Sequence, residues 1–319
     1  MTAHSHPINS LGRSASGLPP NLTHPNTSAP LTIKPETLPL RSPWALAWAR
    51  LRRNQLALLG LFVVIGWVGL AISADAIAPY SPTQLDFAGY EQDASTAHLL
   101  GTDFIGRDLF TLILYGARVS TAVAVVVPLM IVLIGGAVGV LAGYAGGWID
   151  NWLMRFTDAM FAFPSFLFMV LIVSTFGRSL WTIFLALGIS AWPAMARIVR
   201  AQVLQIKQTE YIVSARALGA TPQHIILTHF LPNLVGPVLV TAAMSIPAAV
   251  TAEAFLAFLG IGIESTTPSW GNLINDAQPS IFWHPTLILF PALAISSLTL
   301  AFSFLGDGLR DALDPRMES

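Results

Sequence analysis

The sequence contains no cysteine, and charged residues are scarce, because Asp, Glu, Lys and Arg make up only 10% of its 319 residues. The lack of cysteine excludes disulfide bonds, thiol nucleophiles and thiolate metal ligands. Soluble domains carry about 25% charged residues, so this chain has too little polar surface to face water on all sides. Its net charge of −1 provides no basic surface for nucleic acid, which is therefore excluded as a partner.

The residues that dominate instead are apolar, at 54% of the chain, and they occur in long runs. A membrane-spanning helix needs about 20 mostly apolar residues. Six segments meet this need, within 56–78, 118–150, 158–178, 178–197, 234–256 and 286–305. The sequence predicts an all-α polytopic membrane protein with six transmembrane helices. The third and fourth are short and meet at Gly177, Arg178 and Ser179, so we expect them to form a helical hairpin.

The distribution of basic residues predicts the orientation of these helices. With the N-terminus inside, the outer segments hold only Arg107, Arg118 and Arg178 of the sixteen basic residues. Lys and Arg concentrate on the cytoplasmic side of membrane proteins. Both termini are therefore expected in the cytoplasm.

The segments outside the apolar runs divide the rest of the chain. Residues 1–40 are rich in Ser, Pro, Asn and Thr and have no apolar run, which predicts a disordered cytoplasmic tail and no signal peptide. Ser42 and Pro43 are suited to begin a helix, so 41–55 is predicted to be an amphipathic helix on the inner membrane surface, or alternatively an extra turn of the first span. A permease domain over 56–306 and a cytoplasmic tail over 307–319 complete the prediction.

Glycine and proline are frequent inside the predicted spans. Gly135, Gly139, Gly143 and Gly147 recur every four residues, a spacing that lets two helices pack closely in lipid. Each span from the second to the sixth contains a proline, namely Pro128, Pro164, Pro193, Pro247 and Pro291. These residues indicate a bundle that rocks between packings, or simply the greater tolerance of membrane helices for Gly and Pro. Glu253 is the one candidate for an intramembrane carboxylate, and we expect a structural hydrogen bond for it.

The longest inner loop, 203–232, is predicted to contain two short helices joined by a sharp turn. The first covers 209–218 and is ended by Gly219, because glycine enters the left-handed conformation without strain. Thr221 caps the second helix, Pro222 occupies its first position, and Pro232 is expected to end it before the fifth span. Spans on both sides make a DNA-binding helix-turn-helix implausible.

These residues, TEYIVSARALGATPQHIILTHFLPN at 209–233, resemble the EAA loop of ABC-importer permeases. The matching positions are Ala215, Gly219, Leu231 and Pro232. The departures at Val213, Ser214 and His229 are typical of the dipeptide, oligopeptide and nickel subgroup. Further similarity to that subgroup's C-type subunit covers 98–110, 115–120, 143–165, 253–271 and 305–316.

The resemblance implies a type I ABC-importer permease fold with a cytoplasmic coupling-helix loop, in a bacterial inner membrane. Its implied partners are a second, B-type permease, one or two cytoplasmic ABC ATPases, an outer substrate-binding protein and membrane lipid. ATP and Mg²⁺ would be bound by the ATPases, so this chain is expected to be non-catalytic, with no cofactor and no metal site. The implied cargo is di- or oligopeptides. The alternatives are nickel or another small solute, an ATP-independent secondary transporter, and a receptor or assembly protein with the permease fold.

The resemblance also places candidate functional residues. ATPase coupling falls on Glu210, Tyr211, Ser214, Ala215, Arg216, Ala217, Leu218, Gly219, Ala220 and Thr221. In the outer loop, Asp103, Arg107 and Asp108 either fold the loop or contact the binding protein and shape an outer gate. Trp270 either lies at the membrane interface or rims that gate.

Overall fold

The computed structural model describes residues 43–86, 89–264 and 266–313. The predicted N-terminal tail and most of the predicted C-terminal tail lie outside these residues. The described residues form twelve α-helices: α1 (Pro43–Leu51), α2 (Gln55–Ile72), α3 (Ala74–Ile77), α4 (Leu109–Ala145), α5 (Gly147–Ala162), α6 (Ser165–Phe176), α7 (Leu180–Lys207), α8 (Glu210–Ala217), α9 (Pro222–Ile225), α10 (Leu231–Phe258), α11 (Trp270–Asp276) and α12 (Thr286–Leu313). A π-helical segment, Ile226–Phe230, joins α9 to α10.

Five helical stretches are long and apolar enough to span a membrane: α2, α4, α7, the run from α9 through α10, and α12. The helices α5 and α6 form a bent pair, with an angle of 87° between them, and provide a sixth crossing if the pair is one span. The predicted all-helical fold is therefore confirmed, and the six predicted spans are matched when the bent pair counts as one span. Pro164 disfavours helical geometry at the residue before it, and Phe163 is accordingly extended, with φ −84° and ψ 131°.

The helices α4 and α7 pack together along three glycines. A Cβ atom added to Gly135 would lie 2.6 Å from the Trp192 carbonyl oxygen, and one on Gly139 would lie 2.6 Å from that of Ala196. One on Gly143 would lie 2.8 Å from Val203 Cβ. The two backbones can approach this closely only because no side chain stands between them.

Gly147 does not belong to this ridge, and the prediction that it does is wrong. Helix α4 ends at Ala145, since Gly146 and Gly147 have φ values of +66° and +55°. Two consecutive residues with positive φ cannot continue a right-handed helix. Gly147 instead begins α5.

A short helix precedes the first span, as one of the two alternatives for residues 41–55 predicted. Helix α1 ends at Leu51, and α2 has its own N-cap, Asn54, whose Oδ1 accepts a hydrogen bond from the Ala57 N–H at 3.1 Å. The extra-turn alternative is therefore wrong. Leu51 packs with Ala57 and with Ala312 of α12, a helix that continues past residue 306 to Leu313.

Candidate functional site

The loop between α7 and α10 begins with α8, which ends in a capping motif centred on Gly219. The Gly219 N–H donates to the Arg216 carbonyl at 2.9 Å, and the Ala220 N–H donates to the Ala215 carbonyl at 3.0 Å. With φ +83° at Gly219 this is a Schellman motif, which satisfies the last carbonyl groups of the helix. The predicted end of the helix is confirmed.

The second half of the loop starts as predicted. Thr221 Oγ1 accepts a hydrogen bond from the His224 N–H at 3.3 Å, and Pro222 is the first residue of α9. The prediction that Pro232 ends this helix is wrong. Pro232 has no backbone N–H, and the helix continues past it through the π segment. There the Leu231 N–H donates to the Ile226 carbonyl, and the Asn233 side-chain amide donates to the His229 carbonyl at 2.7 Å. The chain thus runs as one helical body from α9 into α10.

The loop, defined here as the coupling region 209–231, is anchored on one side and open on the other. Ile212, Ile225 and Phe230 are buried against the bundle. Leu218 at the tip is 88% exposed. Of the predicted coupling residues, Ala215 and Ala220 are half-buried, and the others are exposed: Glu210, Tyr211, Ser214, Arg216, Ala217, Leu218, Gly219 and Thr221.

Tyr144, at the end of α4, connects this region to the bundle and was not predicted from the sequence. Its ring contacts Phe230 edge-on, with the ring centroids 5.9 Å apart, and lies 5.6 Å from the Arg216 guanidinium. Its carbonyl accepts a hydrogen bond from Lys207 Nζ at 2.7 Å. Tyr144 thereby contacts the coupling region and the end of α7 at once. Its position just after the glycine ridge was the only sequence feature that could have suggested this.

In the loop that precedes α4, predicted to be an outer loop, Asp103 and Arg107 form a buried pair. Asp103 Oδ1 accepts the N–H groups of Ile105 and Arg107, while Arg107 Nε donates to Asp103 Oδ2 at 2.6 Å. Arg107 Nη2 also lies 3.6 Å from Asp276 Oδ2. Burial raises the pKa of Asp276, and the positive charge of Arg107 opposes this rise only in part.

Asp108 is the N-cap of α4, and its Oδ2 accepts the Thr111 N–H at 2.8 Å. Its Oδ1 lies 3.0 Å from Nδ1 of the buried His98. Asp103, Arg107 and Asp108 are all buried, so their side chains stabilise the fold of the loop, and a contact with the binding protein stays a prediction.

Trp270 occupies neither of its predicted positions. It is completely buried, and its Nε1–H donates to the Ile113 carbonyl of α4 at 2.9 Å. Its ring meets Trp67 edge-on at 4.8 Å. Gly116 provides the space, since a Cβ there would lie 2.6 Å from Trp270 Cδ1. Trp270 therefore fastens α11 to α4, and it is neither an interfacial residue nor part of a gate rim.

Two further carboxylates lie near the ends of spans. Arg118 Nη2 is 2.8 Å from Asp75 Oδ2, and the Tyr115 hydroxyl donates to Asp75 Oδ1 at 2.6 Å. Hydrogen bonds from Arg118 and Tyr115 hold the pKa of Asp75 below its usual value. Glu253 is fully buried in α10, and neither of its carboxylate oxygens has a hydrogen-bond partner among the described residues, so the structural hydrogen bond expected for it is not observed. Across the described ranges, no three His, Asp or Glu side chains are arranged to hold a metal ion.

Comparison with known proteins decides the family. Residues 135–319 match the family described as "Binding-protein-dependent transport system inner membrane component". The chain belongs to this family. Residues 42–99 of the permease also match the "N-terminal TM domain of oligopeptide transport permease C".

Relatives of the permease match it along most of their length. It is 42% identical to the dipeptide transport system permease protein DppC of Bacillus subtilis, over 85% of each chain. It is 37% identical to the oligopeptide transport system permease protein OppC of the same organism, over 86% of this chain and 90% of the relative. It is 39% identical to the glutathione transport system permease protein GsiD of Pectobacterium atrosepticum, over 88% and 93%.

The fold of the permease also has a solved counterpart. The inward-facing MetNI methionine ABC transporter aligns with a TM-score of 0.52 and 22% identity. The alignment covers 64% of this chain and 96% of the MetNI chain. This similarity shows that the two chains share the ABC-importer permease fold.

Proposed function

We propose that this chain is the C-type permease subunit of an ATP-driven importer of di- and oligopeptides. It would form the translocation pathway with a second, B-type permease in the bacterial inner membrane. An outer substrate-binding protein would deliver the peptide, and one or two cytoplasmic ATPases would bind ATP and Mg²⁺. The dipeptide, oligopeptide and glutathione permeases described above support this cargo, and they do not favour nickel.

The observation that supports the coupling role most directly is the continuity of helix from α9 through the π segment into α10. A displacement applied to the coupling region reaches a membrane span without passing through a flexible joint. The Schellman motif keeps α8 at a fixed angle to α9, so both helices would move as one body. The exposed coupling residues named above, from Glu210 to Thr221, would contact the ATPase.

Two residues of the coupling region, Phe230 and Arg216, would transmit its displacement to the helix bundle. Phe230 contacts Tyr144 of α4, and Arg216 lies over the same ring. Movement of the coupling region would therefore act on α4 as well as on α10. This geometry supports a rocking bundle over a rigid channel.

The test is Gly219→Val in the complete transporter reconstituted in liposomes. A β-branched residue at φ +83° is strained by about 1–2 kcal/mol, so the capping motif should open and the angle between α8 and α9 should change. We expect ATP-dependent dipeptide uptake to fall severalfold while the complex still assembles. ATP hydrolysis and uptake, measured in the same vesicles, should lose their fixed ratio.

Gly236→Val is the matched control. Gly236 lies inside α10. A Cβ atom added at Gly236 or at Gly219 would have no described heavy atom outside its own helix within 4 Å, so neither substitution creates a clash at Cβ. Of these two glycines, only Gly219 has a positive φ. Unchanged uptake by Gly219→Val, or equal losses in both variants, would contradict the proposal.

A further inference from the structure

A cavity of about 420 Å³ lies at the bend between α5 and α6. It is walled by α4, α5, α6, α7 and α10, and large apolar side chains such as Met160, Phe161, Phe163 and Met169 line it. Its volume is within the range of about 300–1,000 Å³ that is typical of small-molecule sites. The half-exposed rings of Phe161 and Phe163 indicate that the cavity is open to the outside of the chain.

Three serines, Ser165, Ser190 and Ser245, interrupt this apolar lining. Ser190 donates to the Leu187 carbonyl at 2.9 Å, and Ser245 donates to the Ala242 carbonyl at 2.7 Å. Because a hydroxyl oxygen has two lone pairs, both can still accept a hydrogen bond from a ligand N–H. The lining thus offers acceptors to a peptide backbone.

The same wall offers hydrogen-bond donors. Ser165 begins α6, and among the described residues no side chain caps this helix end. The first backbone N–H groups of a helix have no partner within the helix, so they are available to a carbonyl or carboxylate oxygen. Donors and acceptors therefore occur in one apolar cavity.

An ion pair stands beside the cavity. The Arg197 guanidinium lies 4.0 Å from the ring centre of Phe161, a wall residue, and Arg197 Nη2 is 2.7 Å from Asp158 Oδ1. The two side chains are 48% and 63% exposed, so the pair remains accessible. It presents one charge of each sign, which complements the two charged termini of a short peptide.

A second cavity, of about 670 Å³ between α4 and α10, has a different character. Each described residue that lines it is apolar, from Val132 and Leu133 of α4 to Val238 and Leu239 of α10. A lining without hydroxyl groups suits hydrocarbon. The first cavity differs from this second cavity because it has serines in its lining and an ion pair beside it.

We propose that the cavity at the α5–α6 bend receives an apolar side chain of a short peptide during transport, with the serines and the first turn of α6 bound to the peptide backbone. Arg197 and Asp158 are the charged groups that meet the peptide termini. This inference rests on the proposed function and adds a substrate-contact site to it.

The test introduces a larger side chain at an exposed residue of the cavity wall. Ala248 of α10 is exposed and lines the cavity, so Ala248→Phe should fold while it removes space. The maximal uptake rate is measured in reconstituted transporter with saturating, peptide-loaded binding protein, which cancels the affinity of that protein. We expect the maximal uptake rate of the dipeptide Leu-Phe to fall about tenfold and that of Gly-Gly to change little.

Ala137→Phe is the control, because Ala137 is likewise an exposed alanine, in the wall of the second cavity, whose described lining is wholly apolar. It should leave both rates unchanged. Equal losses for the two peptides in Ala248→Phe, or the same selective loss in Ala137→Phe, would overturn the inference. If Ala248→Phe does not assemble, the smaller Ala248→Leu is measured in the same way, with about threefold selective loss expected. Absence of peptide uptake by the unaltered transporter would instead refute the proposed function itself.

Discussion

Two adjacent glycines of α4 show how the close packing of this bundle depends on single atoms. A Cβ on Gly135 would lie 2.6 Å from the Trp192 carbonyl, whereas one on Gly136 would have no described heavy atom outside its own helix within 4 Å. We expect Gly135→Ala to destabilise the protein by about 1–3 kcal/mol, because α4 and α7 must move apart. Gly136→Ala should be neutral or stabilising by up to about 1 kcal/mol, since alanine is the better helix former.

The measurement is thermal unfolding of both variants in the same detergent. A lower Tm for Gly135→Ala alone supports the packing described here. Similar Tm values for the two variants would show that α4 and α7 are not in close contact at Gly135.

Two carboxylates outside the spans should respond to pH in opposite ways. Burial raises the pKa of Asp276 in the folded protein, so stability falls as the pH rises from the unfolded pKa of about 3.9 to that raised value, and the loss is complete above it. Asp276→Asn, which cannot ionise, should therefore have a higher Tm than the unaltered protein at pH 7. The difference should vanish as the pH falls towards about 4.

Asp75→Asn is the counterpart, because bonds from Arg118 and Tyr115 lower the pKa of Asp75. The stability that this ionised carboxylate provides is present above its unfolded pKa of about 3.9 and is lost only in stronger acid. Asp75→Asn should accordingly reduce the Tm across about pH 5 to 8. If the change in Tm follows the same pH dependence in both variants, the environments of Asp276 and Asp75 do not differ as described.

Sequence reasoning succeeded at residues whose role is local. Gly219 and Thr221 were predicted correctly because a helix end and a helix start depend on a few neighbouring residues. Trp270 was placed wrongly because its burial depends on Gly116, which is distant in the sequence and leaves room for its ring. Tyr144 was missed for the same reason, since its contacts come from three separate elements.

At the scale of helices, two ion pairs hold α5 beside α7 in different ways. Arg200 makes two bonds to the largely buried Asp150, at 2.6 and 2.7 Å, whereas Arg197 makes a single bond to the exposed Asp158. Removal of one partner from a fully buried pair leaves an uncompensated charge, at about 3–5 kcal/mol, and the loss of Asp150 should cost less than this because Arg200 is 33% exposed. Exposed pairs contribute about 0–1 kcal/mol.

We therefore expect Asp150→Ala to reduce the yield and Tm of the assembled complex strongly. Asp158→Ala should leave both almost unchanged, although it alters an accessible group beside the cavity. Thermal unfolding of the two variants measures the contrast. A larger effect from Asp158→Ala would show that α5 is positioned by the exposed pair instead.

The helices themselves were mostly predictable, but their irregularities were not. Apolar runs located the six crossings because the bilayer dictates a length of about 20 residues. Pro164 and Pro232 were both visible in the sequence, yet one ends a helix at an 87° bend and the other lies inside a continuous helix. The difference comes from the Asn233–His229 bond and the π segment around Pro232, which local propensities do not reveal.

At the scale of the whole molecule, the described contacts form a path from the coupling region to the cavity. Phe230 and Arg216 contact Tyr144 at the end of α4, and α4 packs on α7 through its glycines. The same two helices supply part of the cavity wall. A displacement of α8 would therefore change the shape of the cavity, which is the mechanical requirement for coupling ATP hydrolysis to transport.

This mechanism requires the coupling region to lie in the cytoplasm, and the missing cysteine makes that testable. Single cysteines at Ala94, in the outer loop, and at Gln208, between α7 and α8, would be the only thiols in the chain, and both positions are exposed. In the topology predicted from the sequence, thirteen of the sixteen basic residues fall on the Gln208 side, so the positive-inside rule predicts that this side is cytoplasmic. In intact cells a membrane-impermeant maleimide should label Ala94→Cys but not Gln208→Cys, and inverted vesicles should reverse the result. Labelling of both cysteines from one side would contradict the six-span topology, and labelling of Gln208→Cys in intact cells would remove the coupling region from contact with any cytoplasmic ATPase.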